Sequence, residues 1–216
     1  GAWPGSPSRG ELYNDDPRLG DARLCGTTAS LCGLETADTP EKQDLSLRCD
    51  LMLHALMFTL SGLPVLYSGD EIGQLNDYSY HDDPDKHDDS RYLHRGNFRW
   101  DLAEHRHDPD TVQGELFAGL RKLEAIRASY NAFRADAAAD VFDTGSVNVL
   151  GIRRCFDNEL ITAIFNFSEE PREIPNPASG SRNLLTGEET MGETVLLPGY
   201  GFLWFAWQHT YDAGEH

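Results

Sequence analysis

Apolar residues recur along this chain at more than one spacing, and each spacing predicts a different element. From Leu45 to Leu60 they fall on nearly every side of a helix (Leu45, Cys49, Leu51, Met52, Leu53, Leu56, Met57, Phe58, Leu60), as in a helix packed between layers. Thr39 as N-cap, Pro40 at the first helical position and Glu41 in the first turn mark its start, and Gly62 and Pro64 mark its end. Val65-Leu66-Tyr67 then reads as a very short buried strand, a helix-to-strand step of parallel α/β architecture. A second helix is predicted from about Asp110 to Ser129, where Leu116, Leu120, Leu123 and Ile126 share one face and Asp108 or Asp110 caps the start. After Ala139 the pattern shortens to β-branched and aromatic runs: Val147–Phe156, Leu160–Phe167, Arg172–Ile174, Arg182–Leu185, Thr194–Leu197 and Phe202–Trp207. Asp157-Asn158, Gly187-Glu188 and Gly199-Tyr200-Gly201 separate them, which predicts an antiparallel β-sandwich.

Two stretches lack periodicity. Residues 1–38, rich in Gly, Pro, Asp and Ser, read as a long ordered loop with one short helical turn at Thr28–Leu34. The segment from Gly69 to about Asp108 is a polar loop crowded with Asp and His. The resulting division is an α/β part over 1–138, an all-β domain over 139–210 and a tail over 211–216.

Composition adds limits. Among 216 residues, 36 Asp and Glu against 18 Lys and Arg give a net charge of -18, which disfavours phosphate backbones and anionic membranes. Asp50 and His54 interrupt the most apolar run, so no bilayer span is predicted, and no signal peptide opens the chain. Cys25, Cys32, Cys49 and Cys155 show no metal-like spacing; they read as buried free thiols, which suggests a reducing, cytoplasmic setting. The chain opens on Gly1 and its first methionine is Met52, as expected after processing or in the middle of a longer protein.

The sharpest chemical feature is Gly62-Leu63-Pro64-Val65-Leu66-Tyr67-Ser68-Gly69-Asp70-Glu71-Ile72-Gly73, where two acids follow the short apolar run. Acids at the C-terminal end of a barrel strand line a site; the same acids also suit the capping of a following turn or pairing with an Arg.

This motif resembles the last-strand motif of the α-amylase family of glycoside hydrolases, the retaining (β/α)8 barrels. Lys86-His87-Asp88-Asp89-Ser90-Arg91 and Gly20-Asp21-Ala22-Arg23-Leu24-Cys25-Gly26-Thr27 are similar to stretches of its amylosucrase and sucrose hydrolase branch. Asp108-Pro109-Asp110-Thr111 and Phe165-Asn166-Phe167-Ser168 extend the resemblance, which runs from about Gly5 to Trp207. It implies the last elements of a (β/α)8 barrel followed by the β-sandwich. It also implies that the three catalytic carboxylates of the family lie upstream, so this chain is expected to carry no catalytic residue and to be inactive alone. Retaining chemistry needs two carboxyl groups roughly 5 Å apart across the scissile bond. His81-Asp82-Asp83 mimics the family's His-Asp motif but follows the last-strand motif, in the wrong order.

The resemblance carries over Arg91 and Arg23 as substrate-binding residues, with Asp70, Glu71, Asp88 and Asp89 as pocket support. A guanidinium suits the role because its fixed fork of donors meets two hydroxyls, although a surface pair with Asp88 or Asp89 is the plainer reading of Arg91. Implied partners are sucrose or an α-glucan and the remaining N-terminal part of the barrel; no cofactor is implied. The cluster His81, Asp82, Asp83, Asp85, His87, Asp88, Asp89 and His94 lacks the Gly and terminal Glu of a calcium loop, so no metal is assigned. Tyr78, Tyr80, Tyr92, Phe98 and Trp100 serve either sugar stacking or loop packing. Other readings are a non-catalytic carbohydrate-binding or interaction module, and part of an α-glucosidase or trehalose-forming isomerase of the same family.

Overall fold

The computed structural model describes residues 5–18 and 20–208; the tail expected over 211–216 lies outside them. The chain divides into two compact units. One takes residues up to Leu51 together with Leu66–Leu120, and the other takes Met52–Val65 together with Arg121 onward.

In the first unit the long N-terminal loop contains a small hairpin, β1 (Glu11–Tyr13) paired antiparallel with β2 (Arg23–Cys25). A short helix α1 (Thr28–Leu31) follows, capped by Thr27, whose side chain accepts from the Ser30 N–H. Helix α2 (Pro40–Thr59) begins at the expected proline, and the Thr39 hydroxyl accepts from the Lys42 N–H at 3.3 Å. The polar loop is built from 3-10 turns at Asp70–Ile72, Tyr78–Asp82 and Ser90–His94 and the one-turn helix α3 (Trp100–Ala103).

Helix α4 (Val112–Ser129) is capped neither by Asp108 nor by Asp110. Thr111 does this instead, its hydroxyl accepting from Gly114 N–H at 3.1 Å, because the Asp108 carboxylate is turned to the Asp110 N–H. An alanine Cβ at Gly114 would lie 1.8 Å from the Asp108 carbonyl oxygen, so only glycine lets this turn fold against the helix.

The second unit holds β3 (Ala138–Phe142), β4 (Val149–Phe156), β5 (Glu159–Asn166), β6 (Arg172–Pro175), β7 (Arg182–Asn183), β8 (Thr194–Leu197) and β9 (Phe202–Gln208). Five of them form an antiparallel sheet in the order β3-β4-β5-β9-β7, and β6 pairs with β8. One sheet face carries Val149, Ile164 and Phe205, which pack in one core with Ile174 and Leu197 from the β6–β8 pair and Ala178 from the stretch after β6. The register places Ile152, Arg154, Ile161, Ala163 and Trp204 on the other face. Because both faces are covered, β5 reads as a continuous apolar run instead of an alternating one.

That second face is fixed by polar contacts as well as packing. Arg154 is fully buried and pairs with no carboxylate among the described residues; its guanidinium donates to the carbonyls of Thr59, Arg134 (2.6 Å), Ala137 (3.2 Å) and Ala138 (3.2 Å). Trp204 Nε1 donates to Thr59 Oγ1 at 2.9 Å, and Arg127 donates to the Phe58 and Gly62 carbonyls. The C-terminal end of α2 thus has its orphan carbonyls met by two arginines, which also suit the negative end of the helix dipole.

Two expectations are corrected here. Val65-Leu66-Tyr67 is not a strand: the segment joins no ladder among the described residues, and Leu63 and Val65 are 84% and 76% exposed. A strand needs a neighbour to pair with, and the described strands all lie in antiparallel ladders elsewhere. Cys155 is exposed, not buried, because it sits at the end of β4 beyond the cover of the β6–β8 layer; all four cysteines are free. Among the described residues no helix is long and apolar enough to cross a membrane.

Candidate functional site

The chemistry of the first unit gathers where the polar loop closes over the β1–β2 hairpin. Asn76 ties the two: its side-chain oxygen accepts from Thr27 N–H (2.8 Å), its amide donates to the Arg9 carbonyl (3.1 Å), and its own N–H donates to Ser30 Oγ (3.0 Å). Further along, the Ser90 hydroxyl donates to the Leu12 carbonyl at 3.0 Å. Tyr80, buried, donates its hydroxyl to Glu11, and His81 lies 3.1 Å from the same carboxylate. Burial, helped by Glu11, pushes the Tyr80 phenol above its usual range.

Arg91 is the next residue after Ser90. It lies in the Ser90–His94 turn, whose first residues are fixed by Asp89, the carboxylate accepting from the Arg91 N–H at 3.0 Å. The same carboxylate grips the guanidinium along one edge, from Nε at 2.8 Å and Nη2 at 2.7 Å. The Arg91 Cζ lies over the Tyr13 ring, 4.6 Å from the centroid. Nη1 has no partner among the described residues. The Arg91 side chain holds the Asp89 carboxyl at about 2, and Asp89 in turn raises Arg91 above the ordinary arginine value.

Tyr13 faces Arg23 directly across the hairpin, so the two expected binding arginines are brought to one neighbourhood through this tyrosine. Arg23 is exposed and weakly paired with Asp21 at 3.3 Å. Beside them an open cleft of about 510 Å³ is lined by Glu11, Tyr13, Tyr80, His87, Asp88 and Ser90, among others.

The other expected residues lie differently. Asp70 and Glu71 bind their own turn: Asp70 accepts from the Tyr67 N–H at 3.1 Å and Glu71 from the Gly69 N–H at 2.9 Å. Gly69 adopts φ 102, and an added Cβ there would meet Gln74 at 2.9 Å. The acids therefore shape the loop in this chain. Asp88 is 92% exposed and lies 3.2 Å from His87 Nε2. Tyr92 lies under Lys86 and Arg95, and Phe98 meets Trp100 edge-on at 4.7 Å, with Trp100 largely exposed. Among the described residues no three His, Cys, Asp or Glu side chains converge as metal ligands.

Glu11 and Tyr13 were not singled out by sequence reasoning. Their strand is three residues long, too short for alternation to register, and their partners lie near residues 80 and 90.

No family model matches the chain. It is 32% identical over 163 residues to a cyclomaltodextrinase of Geobacillus thermopakistaniensis, covering 72% of this chain and 24% of that protein. It is 23% identical over 156 residues to a glucosylglycerate phosphorylase of Escherichia coli, covering 71% and 27%. The chain thus spans about a quarter of the length of these curated relatives. Among solved structures it resembles a maltogenic amylase from S. marinus (28% identity, TM-score 0.53, 79% of this chain and 21% of that one). It also resembles the trehalulose synthase MutB from Pseudomonas mesoacidophila in fold (18% identity, TM-score 0.63, 84% and 41%). These relatives and structural neighbours are glycoside hydrolases and transferases of the α-amylase family, and the chain shares sequence and fold with their matching parts.

Proposed function

We propose that this chain is the C-terminal portion of a retaining sucrose-acting enzyme of the α-amylase family, with the last barrel elements followed by a β-sandwich. In this reading it supplies pocket loops, while the nucleophile and acid/base belong to upstream barrel strands. The observation that carries the reading is Arg91: a guanidinium fixed on one edge and one face, with Nη1 left as a donor for a sugar hydroxyl. The bare, apolar Leu63–Tyr67 segment supports it, since a last barrel strand takes its partners from upstream strands. Arg23, across from Tyr13, is the second binding residue. Asp89 supports the pocket by holding Arg91.

A second reading, action on maltodextrin-type α-glucosides, is favoured by the names of the relatives, a cyclomaltodextrinase and a maltogenic amylase. The two separate in one assay. A longer protein carrying this segment should release fructose from sucrose, and its Arg91→Ala variant should lose productive sucrose binding with little change in melting temperature. Turnover of maltodextrin without turnover of sucrose would move the assignment to the second reading. Steady fructose release by the purified 216-residue chain would overturn the placement of catalysis upstream.

A further inference from the structure

We infer that Tyr13 is a positioning residue for Arg91, holding the guanidinium in the plane from which Nη1 meets a ligand hydroxyl; this rests on the sugar-binding reading of Arg91. A guanidinium gripped along one edge by a carboxylate keeps a hinge freedom about that edge. Asp89 supplies the edge through Nε and Nη2. The Tyr13 ring lies against the guanidinium, with Cζ over the ring at 4.6 Å, and restricts that hinge. Edge and face together define one orientation, and neither contact uses Nη1. A neutral aromatic face is suited to this task, because it attracts the cation without competing for its donors.

The backbone that carries this ring is itself held. Tyr13 is paired in the β1–β2 ladder with Arg23, and the Ser90 hydroxyl bonds the Leu12 carbonyl at 3.0 Å, one residue from each member of the stacked pair. Tyr13 also lines the 510 Å³ cleft, next to the arginine it supports.

The test compares Tyr13→Phe, which keeps the face, with Tyr13→Leu, which keeps apolar bulk but removes it. In a longer protein carrying this segment, Tyr13→Phe should leave the KM for sucrose within about twofold, while Tyr13→Leu should raise it roughly three- to thirtyfold with less change in kcat. In an Arg91→Ala background Tyr13→Leu should add nothing further. On the 216-residue chain itself, the Arg91 Nε–H resonance should move in Tyr13→Leu and stay in Tyr13→Phe. An unchanged KM in Tyr13→Leu alongside a raised KM in Arg91→Ala overturns the inference. An unchanged KM in Arg91→Ala instead overturns the sugar-binding reading of Arg91 and the inference with it, and an unmoved Nε–H resonance in Tyr13→Leu overturns the stacking on its own.

Discussion

The Arg91 guanidinium lies 4.6 Å from the centroid of the Tyr13 ring while Asp89 grips its edge, so its role depends on shape as well as charge. Arg91→Lys keeps the charge but loses both the two-pronged contact and the flat face. It should therefore raise KM for a sugar substrate nearly as much as Arg91→Ala, a loss of about 1.5–3 kcal/mol in binding. Kinetics of a longer protein carrying each variant check this, and a Lys variant with wild-type KM would mean that charge alone suffices.

Asp89 should titrate with a midpoint of about 2, because the Arg91 guanidinium favours its charged form. The folded value lies below the unfolded one of about 3.9, so this pair contributes stability above pH ~4 and loses it as pH falls toward 2. Carboxyl carbon NMR over that range reads the midpoint directly. In Arg91→Ala the midpoint should return toward the unfolded value.

Arg154→Met should destabilise the second unit strongly. The side chain is fully buried, and its loss leaves the Thr59, Arg134, Ala137 and Ala138 carbonyls without this donor, the bonds to Thr59 and Ala137 being buried. At roughly 1–3 kcal/mol per buried unsatisfied group, a total near 3 kcal/mol or more is expected even with partial relaxation. Urea unfolding followed by Trp204 fluorescence measures it, and a change under 1 kcal/mol would show that the carbonyls find other donors.

Gly114→Ala should destabilise, against the usual sign. In an exposed helix interior this change stabilises by about 1 kcal/mol. Here the new Cβ would lie 1.8 Å from the Asp108 carbonyl oxygen, and backbone must move to admit it. A lowered melting temperature and weakened amide protection around Thr111–Glu115 are expected; a raised melting temperature would show that the Asp108–Thr111 turn is free to yield.

What the sequence disclosed follows from the range of the forces involved. Pro40 and Thr39 mark the start of α2 because capping is local chemistry, and Thr194–Leu197 is read to the residue because β-branched runs bounded by Gly and Pro are local too. The β1–β2 hairpin escaped, since three-residue strands carry too little pattern, and so did β3, whose Ala138–Phe142 stretch is mostly exposed at the sheet edge. Thr111 displaced the aspartates as cap of α4 because Asp108 bonds its own turn, a choice among equivalent capping types that spacing does not resolve. At the site, Arg91 and Arg23 were named from motif resemblance, whereas Tyr13 and Glu11 act through partners far along the chain. Asp70 and Glu71 accept from the Tyr67 and Gly69 N–H groups, the turn-capping role that their position offered beside pocket support.

Arg154 reaches back to Thr59 while the strands that carry it begin only at Ala138. The sheet is therefore not a cassette to be grafted onto another protein at the first strand. A transplant cut there would expose Trp204 and Arg154 on one raw side, with the groups they bond left in the donor. Only a graft that brings Met52–Val65 and the stretch from Arg121 along with the strands would carry a finished surface.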